Sequence, residues 1–178
     1  GRTEIVPLKP GDHAPDFELE LLVGADAENS ESGSKRLILA ESLSQGPAVL
    51  VFVKEGCPTC QYTLPFLERM YQSYPQSGVS MVVIAQEEAA VAGRMVHNFG
   101  IPTTPLVLDP EPFSVSEQYE LSYVPTFFYV GQDGKFERVF ESFDREELRS
   151  LNEAVARVSE LSPRPLFSEK EGVPPFSS

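Results

Sequence analysis

The sequence predicts an α/β fold in which helices flank a mixed central sheet. Residues 48–53 form a continuous apolar run, rich in valine and too short for a helix, which is typical of a strand buried on both faces. Residues 79–85 predict a second buried strand, and helical segments follow both strands, so these strands are expected to pair in parallel. Asp133-Gly134 between two apolar runs indicates a hairpin, which adds an antiparallel edge.

The N-terminal part predicts an extended start and a β extension of the sheet. Residues 6–12 contain prolines that exclude a helix. Residues 17–22 alternate apolar and acidic side chains, as in a half-exposed strand, and residues 35–40 predict a return strand. The polar, Gly- and Ser-rich residues 24–34 between them predict a mobile loop.

The middle of the chain predicts two helices and a short strand. The first helix begins at Cys57, and Pro65 inside it predicts a kink. Its apolar side chains follow the i, i+3, i+4, i+7 spacing of an amphipathic helix, at Leu67, Met70, Tyr71 and Tyr74. Residues 87–98 predict an Ala-rich helix, residues 106–108 a short strand, and residues 114–119 a helical turn.

The C-terminal part predicts the hairpin and a closing helix. Residues 126–130 and 136–140 are the two apolar runs of the hairpin. Asp144, followed three residues later by Glu147, approximates a capping box, and apolar side chains spaced along one face then predict the last helix.

The organisation is that of one domain with two terminal segments. Residues 1–10 form an extended N-terminal segment, residues 11–161 form the domain, and residues 162–178 form a Pro/Ser-rich tail. The tail is expected to be disordered unless its large apolar side chains dock on the body, namely Leu166, Phe167 and Phe176.

Composition excludes several classes of function. With 14 Lys plus Arg against 27 Asp plus Glu, the formal net charge is −13, which argues against nucleic acid or an anionic lipid surface as the main partner. Two cysteines exclude a disulfide-rich scaffold, and two histidines leave little room for a metal site, so no metal and no cofactor is expected. No run approaches the ~20 apolar residues that span a bilayer.

The start of the sequence leaves the location of the protein open. Gly1-Arg2-Thr3 carries neither an initiating Met nor an apolar signal region. A leading Gly can be the scar of a protease, so a native signal peptide or anchor can have been removed, and an exported protein stays compatible with the sequence.

Cys57-Pro58-Thr59-Cys60 stands where the strand 48–53 leads into a helix. A cysteine at a helix N-terminus faces unpaired N–H groups and the positive end of the helix dipole, which favour the thiolate, the attacking species. A second cysteine one turn later can displace a mixed disulfide and close an intramolecular ring. This context predicts redox chemistry.

Three other interpretations of the cysteines stay open at this point. A zinc half-site would need further ligands, for which His13 and His97 are the only histidines. An inert structural disulfide would restrain the unfolded chain little, because the ring is small. Two unrelated free thiols are the third interpretation.

The segment of residues 49–60 resembles the active-site segment of thioredoxin-fold proteins, and Pro65 matches the proline that bends their active-site helix. Tyr123-Val124-Pro125-Thr126, just before an apolar strand, resembles the cis-proline motif of that superfamily.

Gly11-Asp12-His13-Ala14-Pro15-Asp16-Phe17 is similar to the N-terminal segment shared by peroxiredoxins and TlpA/ResA-type reductases. The chain therefore resembles, over roughly residues 11–161, a thioredoxin-fold thiol–disulfide oxidoreductase of the TlpA/ResA type, related to the AhpC/TSA (redoxin) family.

The resemblance implies a role for each residue of the motifs. Cys57 is expected to be the nucleophile and Cys60 the resolving thiol. Pro125 is expected to be cis and to place the Val124 backbone beside the nucleophile, where it pairs with an extended substrate segment.

Two further neighbours of Cys57 and Cys60, Gly56 and Pro58, are expected to contribute to the substrate-binding surface.

The sequence departs from the thioredoxin pattern at two positions. Gly56 stands where thioredoxins usually have Trp, and Val51 stands where many of them bury an acid that handles the proton of the resolving thiol. The proton of Cys60 must then pass to water or to the carboxylate of another acidic residue, for which Glu55 and Glu87 are candidates.

The function predicted is a thiol–disulfide oxidoreductase that exchanges electrons with protein disulfides through Cys57 and Cys60. Its expected partners are disulfide-containing proteins and a thiol electron donor. If the protein lies outside the cytosol, this donor is expected to be membrane-bound. The resemblance favours an extracytoplasmic, periplasmic or membrane-anchored location over the cytoplasm, and the chain is expected to be a monomer.

Two alternatives belong to other classes of function. A thiol peroxidase resembles Pro-x-x-x-Thr-x-x-Cys at its reactive cysteine, and this chain has Leu50 and Lys54 at the Pro and Thr positions. A non-catalytic binding module would use the fold as a scaffold, against which the retention of both cysteines argues.

Overall fold

A seven-stranded mixed sheet forms the centre of the computed structural model, which describes residues 8–23 and 35–177. In chain order its strands are β1 (Glu18–Val23), β2 (Arg36–Ile38), β3 (Ala48–Val53), β4 (Ser80–Ala85), β5 (Leu106–Leu108), β6 (Thr126–Val130) and β7 (Phe136–Glu141). They lie side by side in the order β2-β1-β5-β4-β3-β6-β7. The predicted loop at 24–34 and residues 1–7 of the predicted extended segment lie outside the described residues.

Within the described residues, five α-helices connect and cover the strands. They are α1 (Leu39–Leu43), α2 (Pro58–Ser73), α3 (Ala89–Asn98), α4 (Ser114–Gln118) and α5 (Arg145–Val158). A separate two-stranded sheet pairs β8 (Phe143–Asp144) with β9 (Phe176–Ser177). Within residues 8–23 and 35–177, no helix is both long enough and apolar enough to cross a bilayer.

The pairing of the strands confirms the predicted fold class. Strands β3, β4 and β5 are parallel because α2 and α3 carry the chain back between them. Strands β6 and β7 form the predicted antiparallel hairpin, and β6 pairs antiparallel with β3. At the other end, β1 pairs antiparallel with β2 and β5, which is the predicted β extension.

The apolar run of β3 is continuous because the strand feeds two cores. Val49, Val51 and Val53 pack in the cluster that α2, α3 and α5 cover. The alternating side chains pack in the cluster on the opposite face, and they are Ala48, Leu50 and Phe52. Since successive side chains of a strand point to opposite faces, both sets must be apolar in the central strand of a sheet covered on both sides.

The first structural difference from the sequence prediction lies at residues 35–40. The strand ends at Ile38, and α1 begins at Leu39, where a strand through residue 40 was expected. A carboxylate oxygen of Asp16 accepts the backbone N–H of Ala40 at 2.9 Å and so satisfies one of the free donors at the helix start. Asp16 lies on a different segment, so local periodicity does not show this contact.

The C-terminal tail docks on the body through two of its three large apolar side chains. Leu166 is buried, and the ring of Phe167 lies 5.0 Å from the ring of Phe66 on α2, centroid to centroid. Phe176 is 69 % exposed and contributes the backbone of β9. The condition under which the tail was expected to be ordered is therefore met by Leu166 and Phe167.

An ion pair also fastens the tail to α2. The guanidinium of Arg69 lies 2.8 Å from a carboxylate oxygen of Glu171 and also donates to the carbonyl of Leu166. Hydrogen bonding by Arg69 is the main cause that lowers the pKa of Glu171 to about 2. The tail thus contacts the outer surface of α2 through both aromatic and charged side chains.

A buried carboxylate joins α2 to the loop that precedes β5. Glu68 is 6 % exposed and accepts the backbone N–H groups of Thr103 and Thr104 at 3.0 and 2.9 Å. The two threonine hydroxyls and the amide of Gln72 donate to the same carboxylate. Burial by itself raises the pKa of Glu68, but the threonine hydrogen bonds outweigh it, and the pKa is lowered below its ordinary value.

Phe167→Ala should lower the free energy of unfolding by about 2 kcal/mol, because it removes a half-buried ring from the contact with α2. Phe176→Ala is the matched control, and its exposed ring should contribute less than about 0.5 kcal/mol. Urea unfolding of both variants measures the difference. Equal effects would contradict the docking of the tail through Phe167.

Glu68→Gln should lower the free energy of unfolding by about 2 kcal/mol at pH 7, because an amide replaces a charged acceptor of several hydrogen bonds. The folded-state pKa of Glu68 lies below the unfolded one, so its stabilisation is present above the ordinary carboxyl pKa. That stabilisation is lost as the pH falls through the folded-state pKa.

The difference in the free energy of unfolding between wild type and Glu68→Gln should therefore decrease to zero as the pH falls. Denaturant unfolding at several pH values measures it, with Glu153→Gln, an exposed residue of α5, as the control. A gap of constant size at every pH would mean that the shape of the side chain, not its charge, is what matters.

Candidate active site

The two cysteines lie where β3 leads into α2. Cys57 is the N-cap of the helix, with an extended backbone at φ −123° and ψ 99°, and Pro58 follows in the first turn. Proline suits this position because it has no N–H to leave unpaired and its φ is already helical. The helix therefore begins at the first cysteine and places Cys60 one turn later, with a Cα–Cα distance of 5.2 Å and a disulfide between the two sulfurs.

The two sulfurs have different surroundings. Cys57 is 8 % exposed, whereas Cys60 is fully buried. The backbone N–H of Cys60 points at Sγ of Cys57, with an N–S distance of 3.0 Å. When the disulfide is reduced, this N–H and the helix N-terminus favour negative charge on the Cys57 sulfur. A partner from solution reaches Cys57 before Cys60.

The Val124–Pro125 segment lies against the cysteines. Its peptide bond is cis, as the resemblance to the cis-proline motif implied. The carbonyl oxygen of Val124 lies 3.5 Å from Sγ of Cys57, although the two residues are 67 positions apart in the chain. The pairing of β6 with β3 explains this contact, because Thr126 at the start of β6 pairs with Phe52 near the end of β3.

An open groove of about 450 Å³ borders Cys57. The sequence prediction placed Gly56, Pro58 and Val124 at the substrate-binding surface, and all three line this groove. Pro125 is buried behind Val124, and Cys60 is buried beneath Cys57. The sequence analysis did not place the remaining lining residues at the substrate-binding surface, and they are Lys54, Gln86, Leu121, Ser122 and Tyr123.

One signal in the sequence points to Gln86. It follows a buried strand at the carboxyl edge of a parallel sheet, where binding residues of α/β folds commonly lie. Leu121, Ser122 and Tyr123 precede the cis-proline and come to the groove with it. A second cis bond, Glu111–Pro112, lies between β5 and α4 and was not predicted.

The acids proposed for the proton of Cys60 have another contact. A carboxylate oxygen of Glu87 accepts the backbone N–H of Glu55 at 3.0 Å, which ties the loop before Cys57 to the loop after β4. Glu55 is exposed, and no hydrogen bond links either acid to Cys60 in the described part of the chain. Val51 is fully buried in the apolar core. Glu87 therefore positions the loop that carries Cys57.

A zinc site that combines the cysteines with His13 or His97 was one of the alternative interpretations. In the described residues, no three His, Cys, Asp or Glu side chains come together as a metal site would require.

Comparison with known proteins links this geometry to a family of thiol enzymes. Residues 10–139 match the sequence model of the AhpC/TSA family. The thiol-disulfide oxidoreductase ResA of Bacillus subtilis strain 168 is 29 % identical over 136 residues, which cover 74 % of this chain and 67 % of that protein.

Two solved structures support the thioredoxin fold. A protein assigned as a thiol:disulfide interchange protein DsbE, from Chlorobium tepidum, has a TM-score of 0.69 at 20 % identity and covers 85 % of this chain and 99 % of its own. Peroxidoxin BcpB from Mycobacterium tuberculosis has a TM-score of 0.64 at 20 % identity, with coverages of 87 % and 99 %. Similar folds thus accompany two chemistries, and the residues at the site must decide between them.

The positions that resemble a peroxidatic site hold unsuitable side chains. Leu50, at the proline position, lies inside β3 and is buried in the second core. Lys54, at the threonine position, is exposed and lines the groove. A lysine ammonium donates hydrogen bonds and accepts none, so it cannot replace a hydroxyl that does both.

Oxidation of the reduced protein by hydrogen peroxide should therefore be slow, within about tenfold of an ordinary thiol of similar thiolate content. Stopped-flow measurement of the second-order rate constant tests this, with Cys57→Ser as the control for reaction at Cys60. A rate constant many orders of magnitude higher would favour a peroxidase.

Proposed function

The chain belongs to the AhpC/TSA family and is a thiol–disulfide oxidoreductase of the thioredoxin fold, and we propose that it exchanges electrons with protein disulfides through Cys57 and Cys60. One observation carries the proposal. The two cysteines form a disulfide at the N-terminus of α2, and only Cys57 reaches the surface, beside a groove.

Reduction of a substrate proceeds in two exchanges. The Cys57 thiolate attacks one sulfur of the substrate disulfide, a mixed disulfide forms, and the other substrate sulfur leaves as a thiolate. The Cys60 thiolate then attacks Sγ of Cys57, which closes the disulfide and releases the second substrate thiolate. Two electrons pass to the substrate, and the reverse sequence oxidises a dithiol.

The position of Cys60 supports its role as the resolving thiol. It lies one helical turn after Cys57 and is shielded by the protein, so it attacks its neighbour rather than a partner from solution. Its backbone N–H, directed at the Cys57 sulfur, stabilises the thiolate that starts the cycle.

An extended substrate segment binds beside Cys57 by pairing with the backbone of Val124. The Val124 carbonyl lies 3.5 Å from the reactive sulfur, and Gly56 and Pro58 form the adjoining surface of the groove. Gly56 leaves this side of the groove without a side chain, so a substrate backbone can approach closely.

The cycle requires two kinds of partner. Disulfide-containing proteins are the substrates, and a thiol donor restores the dithiol after each reduction. We place the protein outside the cytoplasm, because its motifs resemble those of the TlpA/ResA type. There a membrane-bound donor supplies the electrons, and the protein acts as a monomer. The formal charge of −13 agrees with partners other than nucleic acid.

Cys60→Ser should accumulate covalent adducts with a disulfide-bonded protein such as insulin, because the mixed disulfide at Cys57 then has no resolving thiol. Cys57→Ser should accumulate few adducts and lose activity, since Cys60 is buried. A non-reducing gel, with mass spectrometry of each adduct, compares the two variants.

The matched pair also defines what would contradict the assignment. Equal trapping by both variants would mean that the cysteines are not functionally distinct, and an inert structural disulfide would become the better interpretation. Adducts that form mainly with Cys57→Ser would reverse the two roles.

A further inference from the structure

Gln86 lines the groove beside Cys57, and the exchange reaction described above does not use it. It is the first residue after β4, it is half-buried, and its backbone N–H donates to the carbonyl of Val53 at the end of β3. Its side-chain Nε2 donates to Oγ of Ser116 on α4 at 2.9 Å. The side chain is thus fixed at its far end as well as at its backbone.

A buried carboxylate sets the orientation of this amide. Oγ of Ser116 donates to Oδ2 of Asp109 at 2.7 Å, and Asp109 is 2 % exposed. The same carboxylate accepts the backbone N–H groups of Val115 at 3.2 Å and Ser116 at 2.8 Å. Because a carboxylate accepts hydrogen bonds, the single proton of the Ser116 hydroxyl is committed to Asp109.

The amide of Gln86 therefore cannot be reversed. The Ser116 oxygen has only its lone pairs left, so it must face the NH₂ group of Gln86 and not the carbonyl. Oε1 of Gln86 is then directed away from Ser116, and it accepts no hydrogen bond from residues 8–23 or 35–177. Since Gln86 lines the groove, its amide brings to the groove wall a held acceptor with an open hydrogen-bonding position.

This acceptor lies across the groove from Val124. Gln86 follows β4 and Val124 precedes β6, and these two strands lie on opposite sides of β3, which leads to Cys57. Two strand spacings amount to about 10 Å, which is the width that one extended chain occupies when it is hydrogen-bonded along both edges. An extended backbone carries N–H groups on both of its edges.

We propose that Gln86 is a specificity-determining residue whose Oε1 accepts a backbone N–H of the substrate, on the edge opposite the one that pairs with Val124. This inference rests on the proposed function and names its substrate class as an extended polypeptide that carries a cysteine disulfide. A small disulfide without a peptide backbone reaches Cys57 but makes no bond to Gln86.

The test compares two probes that release the same chromophore. One is a peptide whose cysteine is joined through a disulfide to thionitrobenzoate, and the other is the small symmetric disulfide of thionitrobenzoate. Gln86→Leu, which keeps the bulk but not the acceptor, should lower the ratio of peptide to small-disulfide rate constants about five- to tenfold. Gln118→Leu, an exposed Gln on α4, should leave the ratio unchanged.

N-methylation of the peptide locates the hydrogen bond. Each backbone N–H that flanks the cysteine is methylated in turn, and wild type should lose rate at a position where Gln86→Leu loses none. Ser116→Ala releases the amide of Gln86 from its hydrogen bond but keeps its carbonyl, so the ratio of peptide to small-disulfide rate constants should fall by a smaller factor. This variant replaces Gln86→Leu in the test if Gln86→Leu fails to fold. Thermal unfolding of all variants verifies the fold.

The outcomes separate this inference from the proposed function. If wild type reacts with both probes but Gln86→Leu keeps the wild-type ratio and the same N-methylation profile, the role of Gln86 is wrong and the exchange activity stands. If reduced wild type reacts with neither probe, the proposed function itself fails.

Discussion

The start of α2 at Cys57 is the constraint on which the site depends. The chain must change there from an extended backbone to a helix, and Pro58 allows this change directly after the cysteine. Cys60 then necessarily lies one turn further, where its N–H faces the Cys57 sulfur. Reactivity, exposure and pairing of the two sulfurs thus follow from one helix boundary.

The remainder of α2 is fastened on several sides. Glu68 fixes it to the loop before β5, and Phe66 and Arg69 fix it to the C-terminal tail. These contacts restrain α2 from the side of the sheet and from the side of the tail, and so support the position of its first turn beside the end of β3.

Local patterns in the sequence sufficed for the sheet, its parallel and antiparallel parts, and the motif at Cys57. They failed where one residue meets a distant one. The Glu68 carboxylate meets threonines 35 and 36 positions away, and Arg69 meets Glu171 over 102 positions. Periodicity indicates which face of an element is apolar, but not which loop or tail covers that face. The docking of the tail and the contacts of Gln86 could therefore be identified only from the structure.

Strand β3, at the centre of the sheet, explains why this member of the family is suited to disulfide exchange. Leu50 pairs with Val82 of β4 and with Phe128 of β6, and its side chain fills the second core. A proline there would remove an N–H from a strand bonded on both edges and would interrupt β3. The proline of a peroxidatic site would thus conflict with the strand that positions Cys57 in this chain. The groove instead places the backbone of Val124 beside the sulfur, an arrangement that fits a polypeptide better than a peroxide.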